Sequence, residues 1–335
     1  MIGTEGQSFK GYCGIVEESN YGDGGSPDVF LPIRSDGFGL DNNPLFDSNI
    51  RGRERFQAAA GVFDDDGDVE MVAGPENGLG YLLKGAFGEA TVEAEDESGD
   101  STDDVGTHTF SGSSELPSWA VEIGLGSIDA ARHVGVGVDS LEISHTPEEY
   151  LIVTADLTAK EPQMQGSQAS PTYSDLRPFV WHDGAIDVFG SDRTVDVAEF
   201  SFELSNNIDE KIRGERSPSK AHVGQREISG SLDLDFENTD LAEQFLGGDG
   251  ATSPQQELAK GEITATWTSP EVIVDGGTSQ YELEVFVPSV VLSSYEATLN
   301  EQEAIVENIS WEAELSPGQN FDGQATLKNG ITSAY

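Results

Sequence analysis

The sequence predicts an all-β protein with minor α content, written as two similar modules in tandem. Three observations carry this. Apolar and polar residues alternate over Phe200-Ser201-Phe202-Glu203-Leu204, Leu232-Asp233-Leu234-Asp235-Phe236 and Tyr281 to Val287, the period of half-buried strands. Turn signals are dense, with 39 Gly and pairs such as Asp66-Gly67, Asp183-Gly184 and Asp275-Gly276. The two halves also carry the same landmarks in the same order. Asn42-Asn43 precedes Ile50-Arg51-Gly52-Arg53, and Asn206-Asn207 precedes Ile212-Arg213-Gly214-Glu215-Arg216.

The remaining elements follow in parallel. A strand-like run from Phe56 to Phe63 corresponds to Ile228 to Phe236. Each is followed by a short helical pattern. Leu79, Tyr81, Leu82 and Leu83 lead to Gly85, and Leu241, Phe245 and Leu246 lead to Gly247, with Asn77 and Asn238 as N-cap candidates and Asp240 a rival. Next comes a Trp-bearing strand, Trp119 to Ile123 against Ile263 to Trp267. Each half closes with a strand pair. The first is Val134 to Ile143 with Tyr150 to Leu157, turning at Thr146-Pro147-Glu148; the second is Tyr281 to Ser294 with Ala304 to Leu315, turning near Asn300-Glu301. Pro162, Pro171 and the Gln, Ser and Gly around them mark a linker. The boundaries are a first module with an N-terminal arm over 1–160, a linker over 161–173, a second module over 174–318 and a C-terminal arm over 319–335. The acidic stretch from Glu93 to Gly106 reads as a solvated loop. The tail after Ser316 reads as an arm that orders on a neighbour.

Composition narrows the class. The 335 residues suffice for two cores, and 36% hydrophobic content with 16 Phe and 4 Trp argues against general disorder. The net charge is −45, from 62 acidic and 17 basic residues spread along the chain. Such a domain repels itself in dilute buffer, whereas at molar salt the Debye length falls to about 3 Å. The charge therefore reads as adaptation to high salt, as in a haloarchaeon or its virus. The single cysteine, Cys13, excludes an intrachain disulfide framework. No basic start followed by an apolar run reads as a signal peptide, and no apolar run reaches the ~18 residues of a membrane span.

Catalytic and metal-binding patterns are weak. The five histidines, His108, His133, His145, His182 and His222, have no paired spacing. Ser217-Pro218-Ser219-Lys220 matches S-x-x-K without the companion motifs of penicillin-binding enzymes. Asp64-Asp65-Asp66-Gly67-Asp68 resembles a calcium loop, but its Gly comes too early, and a hairpin turn through Asp66-Gly67 is the expected reading. No cofactor or catalytic residue is predicted. The sharper signal is cationic. Eight of the 17 basic residues fall in two windows, Arg51, Arg53 and Arg55, then Lys211, Arg213, Arg216, Lys220 and Arg226. Scarce cations placed together should meet carboxylates, within the chain or across a subunit interface, and Arg suits bidentate pairing.

Several stretches resemble the major tail tube proteins of long-tailed viruses, in a branch common in haloarchaeal viruses and related phages. They are Gly11-Tyr12-Cys13-Gly14-Ile15-Val16-Glu17-Glu18-Ser19, then Leu31-Pro32-Ile33, Phe179-Val180-Trp181-His182-Asp183-Gly184, Val197 through Asn207, Gly214 to Pro218, and Gly224 through Leu232. The resemblance implies a non-enzymatic virion subunit with a β-sandwich or split-barrel core and a flanking helix in each module. It implies long strands joined around a ring into an inner β-barrel, with rings stacked into a tube for DNA. Two modules per chain would make a homotrimeric, pseudo-hexameric ring, with a homohexamer as alternative. Other tail proteins would bind both ends, DNA would be met only in transit, and no membrane would be involved. The product would be assembled in the host cytoplasm and reside in the virion tail.

Two other classes share the acidic, β-rich character. An Ig-like surface or adhesion protein of a haloarchaeon would be expected to carry a signal peptide and accessible sequons. The sole sequon, Asn308-Ile309-Ser310, falls in a predicted strand. A β-sandwich glycan hydrolase would need a distinguished carboxylate pair, and nothing among the 62 acids marks one out.

Overall fold

The computed structural model describes residues 8–47, 53, 55, 57–126, 128–299 and 305–335. The first half contains β1 (Tyr12–Glu17), β2 (Val29–Leu31), β3 (Ile33–Asp36), β4 (Gly39–Asp41), β5 (Leu45–Phe46), β6 (Ala58–Ala59), β7 (Asp64–Val72), α1 (Leu79–Phe87), β8 (Gly88–Glu95), β9 (Val105–Gly112), β10 (Trp119–Leu125), β11 (Asp129–His145), β12 (Ile152–Ala159) and β13 (Glu161–Met164). The second contains β14 (Gly184–Val188), β15 (Ser191–Asp192), β16 (Val197–Ser205), β17 (Asp209–Lys211), β18 (Lys220–His222), β19 (Glu227–Asp235), α2 (Asp240–Leu246), β20 (Gly261–Val272), β21 (Gln280–Thr298), β22 (Val306–Ala313) and β23 (Gln324–Asn329). The described residues are mostly antiparallel β with two short α-helices, as the alternation predicts.

Strand pairing follows one order in both halves. β3 and β4 lie end to end along β7, which pairs β12, which pairs β11. β11 is 17 residues long, and its first part leaves this sheet to pair β10, which pairs β1. In the second half β16 lies along β19, which pairs β22, which pairs β21. β21, at 19 residues, likewise runs on to pair β20, which pairs β14. Three irregularities coincide as well, while a further shift at Thr268/Val272 has no counterpart among the described residues of the first half. Register shifts at Ile33/Ser35, Trp119/Val121 and Val138/Ser140 stand at the ladder positions of those at Val197/Glu199, Gly261/Ile263 and Leu292/Ser294. A bulge re-aims a strand at one point, so its position is a structural signature. The Asn landmarks behave alike too. Asn43 (φ 39°) and Asn207 (φ 50°) both adopt the left-handed region that Asn tolerates. A Cβ on Gly61 would lie 1.8 Å from the Asn43 carbonyl oxygen, and one on Gly224 would lie 2.4 Å from that of Asn207.

The core sits between sheet layers under the helix. In the first half Cys13, Ile15 and Val121 face Val69, Leu157 and the α1 residues Tyr81 and Leu82. Period 2 produces this, with Val69, Met71, Val153, Ala155, Leu157, Leu141 and Ile143 turned inward and buried. Each fully buried Leu, Ile, Val or Phe contributes about 1.5–3 kcal/mol. The two halves share one continuous core. β11 pairs β16 in register from Ser140↔Ser205 to His145↔Phe200, and Phe87 of α1 stacks on Phe202. Asn206 closes the joint. Its buried carboxamide donates to the carbonyls of Ala86 (2.9 Å), in the last turn of α1, and Val138 (3.0 Å).

Several expectations are corrected. Asp66-Gly67 is not a hairpin turn, because β7 runs straight through it. Gly67 is needed because the chain crosses there, a Cβ lying only 2.5 Å from the Phe38 Cα. Asp65 can be buried in a strand because His133 Nδ1 meets it at 2.8 Å, with Phe38 stacked on the imidazole at 3.9 Å. It is therefore β7, not Phe56 to Phe63, that holds the place of Ile228 to Phe236. The Trp-bearing strands correspond, but their tryptophans do not. Trp119 faces Val136, and Gly261 holds the matching place opposite Val290. Helix α1 ends at Gly88 rather than Gly85, with Gly78, not Asn77, at its N-cap. Asn77 instead exchanges hydrogen bonds with the Ser174 backbone. Thr239 holds the N-cap position of α2, and Asn238 accepts from the Asp240 N–H. Part of the expected linker is strand β13, paired with β11. The acidic stretch is the solvated loop expected between strands: residues 96–104 link β8 to β9, and the stretch's ends, 93–95 and 105–106, belong to those strands.

The tail after Ser316 also differs. It folds on its own chain as β23, between β21 and β9. Apolar alternation over Ala325 and Leu327 drives this, both being fully buried. The terminal Tyr335 then packs against Tyr81, His108 and Phe110, over Gly80, where a Cβ would lie 2.2 Å from its ring. Lys84 Nζ donates to Tyr335 O at 2.9 Å, and His108 Nε2 lies 2.7 Å from Ile331 O.

Candidate subunit interface

The strands β3/β4, β7, β12, β11, β16, β19, β22 and β21 form one open arc of sheet. Its inner face is the core and its other face is polar. A single row across it reads Glu70, Thr154, Glu142, Glu203, Ser229, Glu312. Strands β7, β12, β16, β19 and β22 contain no Lys or Arg. Arg34 reaches this face from its rim, 3.7 Å from Glu70. Burial, then Glu203 and Asp156, raise the Glu142 carboxyl above its ordinary range. This face therefore carries a field that repels anions.

The arc ends in two edges that pair with no strand among the described residues: β3/β4 and the last part of β21. Residues there are exposed where their counterparts are buried. Leu40 is 57% exposed and Leu204 0%; Ala297 is exposed and Ile143 is not. These edges carry no motif, which is why the sequence alone does not single them out. The available signal was the exposed apolar pair Leu40 and Leu299, visible only once strand order is known.

Among the described residues, Arg53 and Arg55 lie between β5 and β6, and Lys211, Arg213, Arg216 and Lys220 lie in the β17–β18 hairpin, both hairpins following the Asn landmarks, whereas Arg226 immediately precedes β19. Arg51 lies outside the described residues. Arg53 is exposed, and Arg55 packs over the Phe46 ring at 4.3 Å. Lys211 contacts Asp209 on its own strand, and Arg213 and Lys220 are exposed. Arg216 works within the chain. Its Nε donates to Gly61 O (2.8 Å) and its guanidinium to Asn42 Oδ1 (2.6 Å), docking the second hairpin on the first half. Arg226 forms a two-pronged pair with Asp322 beside β23. Glu210 of β17 faces the acids of β7. Burial, then Asp66, Asp64 and Asp65, push its carboxyl up to about 7. No helix among the described residues is long and apolar enough to cross a membrane.

An antiparallel β chain with one acid-lined face and two open sheet edges has the features of a structural component. Over residues 8–313 the chain matches the family described as phage tail tube protein. It belongs to that family, and is thus a structural protein of the viral tail. No curated protein matches it.

Proposed function

We propose that this chain is the major tail tube subunit of a haloarchaeal virus and that its halves are tandem tube modules. Three chains then form a pseudo-hexameric ring, and rings stack into the channel through which DNA passes. The observation that carries this reading is the recurrence of one strand order with three bulges at matching positions. The acid-lined face is assigned to the lumen, where it keeps DNA phosphates from adhering. At molar salt this repulsion acts within about 3 Å of the wall. Exposed Arg53 and Arg213, with Arg51 and the other residues of the two hairpins, are the proposed contacts to acids of neighbouring copies. Assembly takes place in the host cytoplasm, with other tail proteins at the two ends.

Electron microscopy of the purified protein in molar salt tests the proposal. Stacked hollow rings with threefold symmetry and six lobes are expected. Rings of six whole chains would overturn the tandem-module ring, and isolated molecules on a cell surface would overturn the tube itself.

A further inference from the structure

The β11–β16 joint is an internal template for how one copy meets the next. Ser140 follows the Val138/Ser140 bulge of β11, and Ser294 follows the Leu292/Ser294 bulge of β21. The stretch Phe200–Ser205 of β16 follows the Val197/Glu199 bulge, and residues 36–41 follow the Ile33/Ser35 bulge in the same way. Joined β11 and β16 thus have unjoined counterparts at the opposite ends of the arc. An unsatisfied strand edge is a template for another chain, and closing it removes the liability.

We infer that β21 of one molecule pairs antiparallel with β3/β4 of a second copy in the register of the internal joint. Ser294 then stands opposite Asp41, Tyr295 opposite Leu40, Glu296 opposite Gly39 and Thr298 opposite Gly37. This rests on the tube reading and names the partner surface within it. Exposure supports it, since Leu40 and Ala297 are bare where Leu204 and Ile143 are covered. Charge supports it as well. Within the chain Glu142 faces Glu203, a like-charge pair tolerated where the chain itself holds the strands together. Between copies the same place holds Glu296 and Gly39, so separate molecules meet without facing carboxylates. Next in register, exposed Asn42 takes the role of Asn206, its carboxamide reaching the Leu292 carbonyl of the second copy as Asn206 reaches Val138.

Cysteine pairing in the full-length chain tests the register. Ser294→Cys with Asp41→Cys is in register, and Ser294→Cys with Gly39→Cys is offset by two residues. All three sites are exposed, and the native Cys13 is fully buried. Circular dichroism checks that both variants fold. After assembly in molar salt and mild oxidation, the in-register pair should cross-link at least about ten-fold faster than the offset pair. Its products on a non-reducing gel should end at three chains. Hollow rings that form without in-register cross-links, or with the offset pair favoured, would overturn the inferred pairing and leave the tube standing. In-register cross-links in assemblies without hollow rings would uphold the pairing and overturn the tube.

Discussion

Glu210 shows what one residue contributes in so acidic a chain. Its folded carboxyl titrates near 7, against an ordinary 4.5, because burial and three aspartates disfavour its charge. A raised carboxyl contributes stability that is fully present below the unfolded value and is lost as pH rises through the folded one. The loss should therefore fall between pH 4.5 and about 7. Glu210→Gln should gain on the order of 1 kcal/mol at pH 8, discounted for partial exposure, and nothing at pH 4. Denaturant unfolding at both pH values checks this; an equal gain at both would rule out titration as the cause. The arginines divide in the same way. Arg213→Glu should leave subunit stability within about 0.5 kcal/mol while weakening tube assembly. Arg216→Glu should cost about 1–3 kcal/mol in the subunit itself, since it strands the Gly61 carbonyl and brings a carboxylate to an acidic site. Equal stability of the two variants would show that Arg216 does not fasten the hairpin.

Among the elements, β23 is the most consequential departure from the expected arm. It fills an edge of β21 and carries the β8–β9 hairpin with it, so the last residues of the chain join the two halves. Removing residues 323–335 should cost on the order of 5 kcal/mol from Ala325, Leu327 and Tyr335 alone. Thermal unfolding of the truncated chain would decide this; an unchanged midpoint would mean that the tail is an arm after all. The sequence made the central strands legible because Phe200 to Leu204, Leu232 to Phe236 and Tyr281 to Val287 alternate cleanly. It hid β7, since four of its first five residues are Asp, and Asp65 reads as surface until His133 is found beside it. It hid β23 for a different reason: that strand's partners lie far away in sequence, so no local pattern declares them. The basic windows drew attention to two hairpins and not to the sheet edges, because an open edge is a property of strand order and not of residue type.

For the whole molecule, net charge sets the working conditions. At −45, repulsion is confined to about 3 Å at molar salt and extends to about 10 Å at 0.1 M. Dilution across that range should lower the unfolding midpoint by on the order of 10 °C and disperse any assembled tube. Calorimetry along a salt series measures it, and a midpoint independent of salt would remove high salt as the reason for the composition.

The β11–β16 joint has one more consequence, for counting errors. Free single modules can close wrongly with five or seven members as well as six. In the proposed ring, modules welded in pairs cannot: every closed circle of whole chains would hold an even number, and the nearest miscount would be off by two modules. A miscounted circle would then differ greatly in circumference and curvature from the correct one. On the proposed assembly, fidelity of the bore is thereby written into the polypeptide before any two molecules meet.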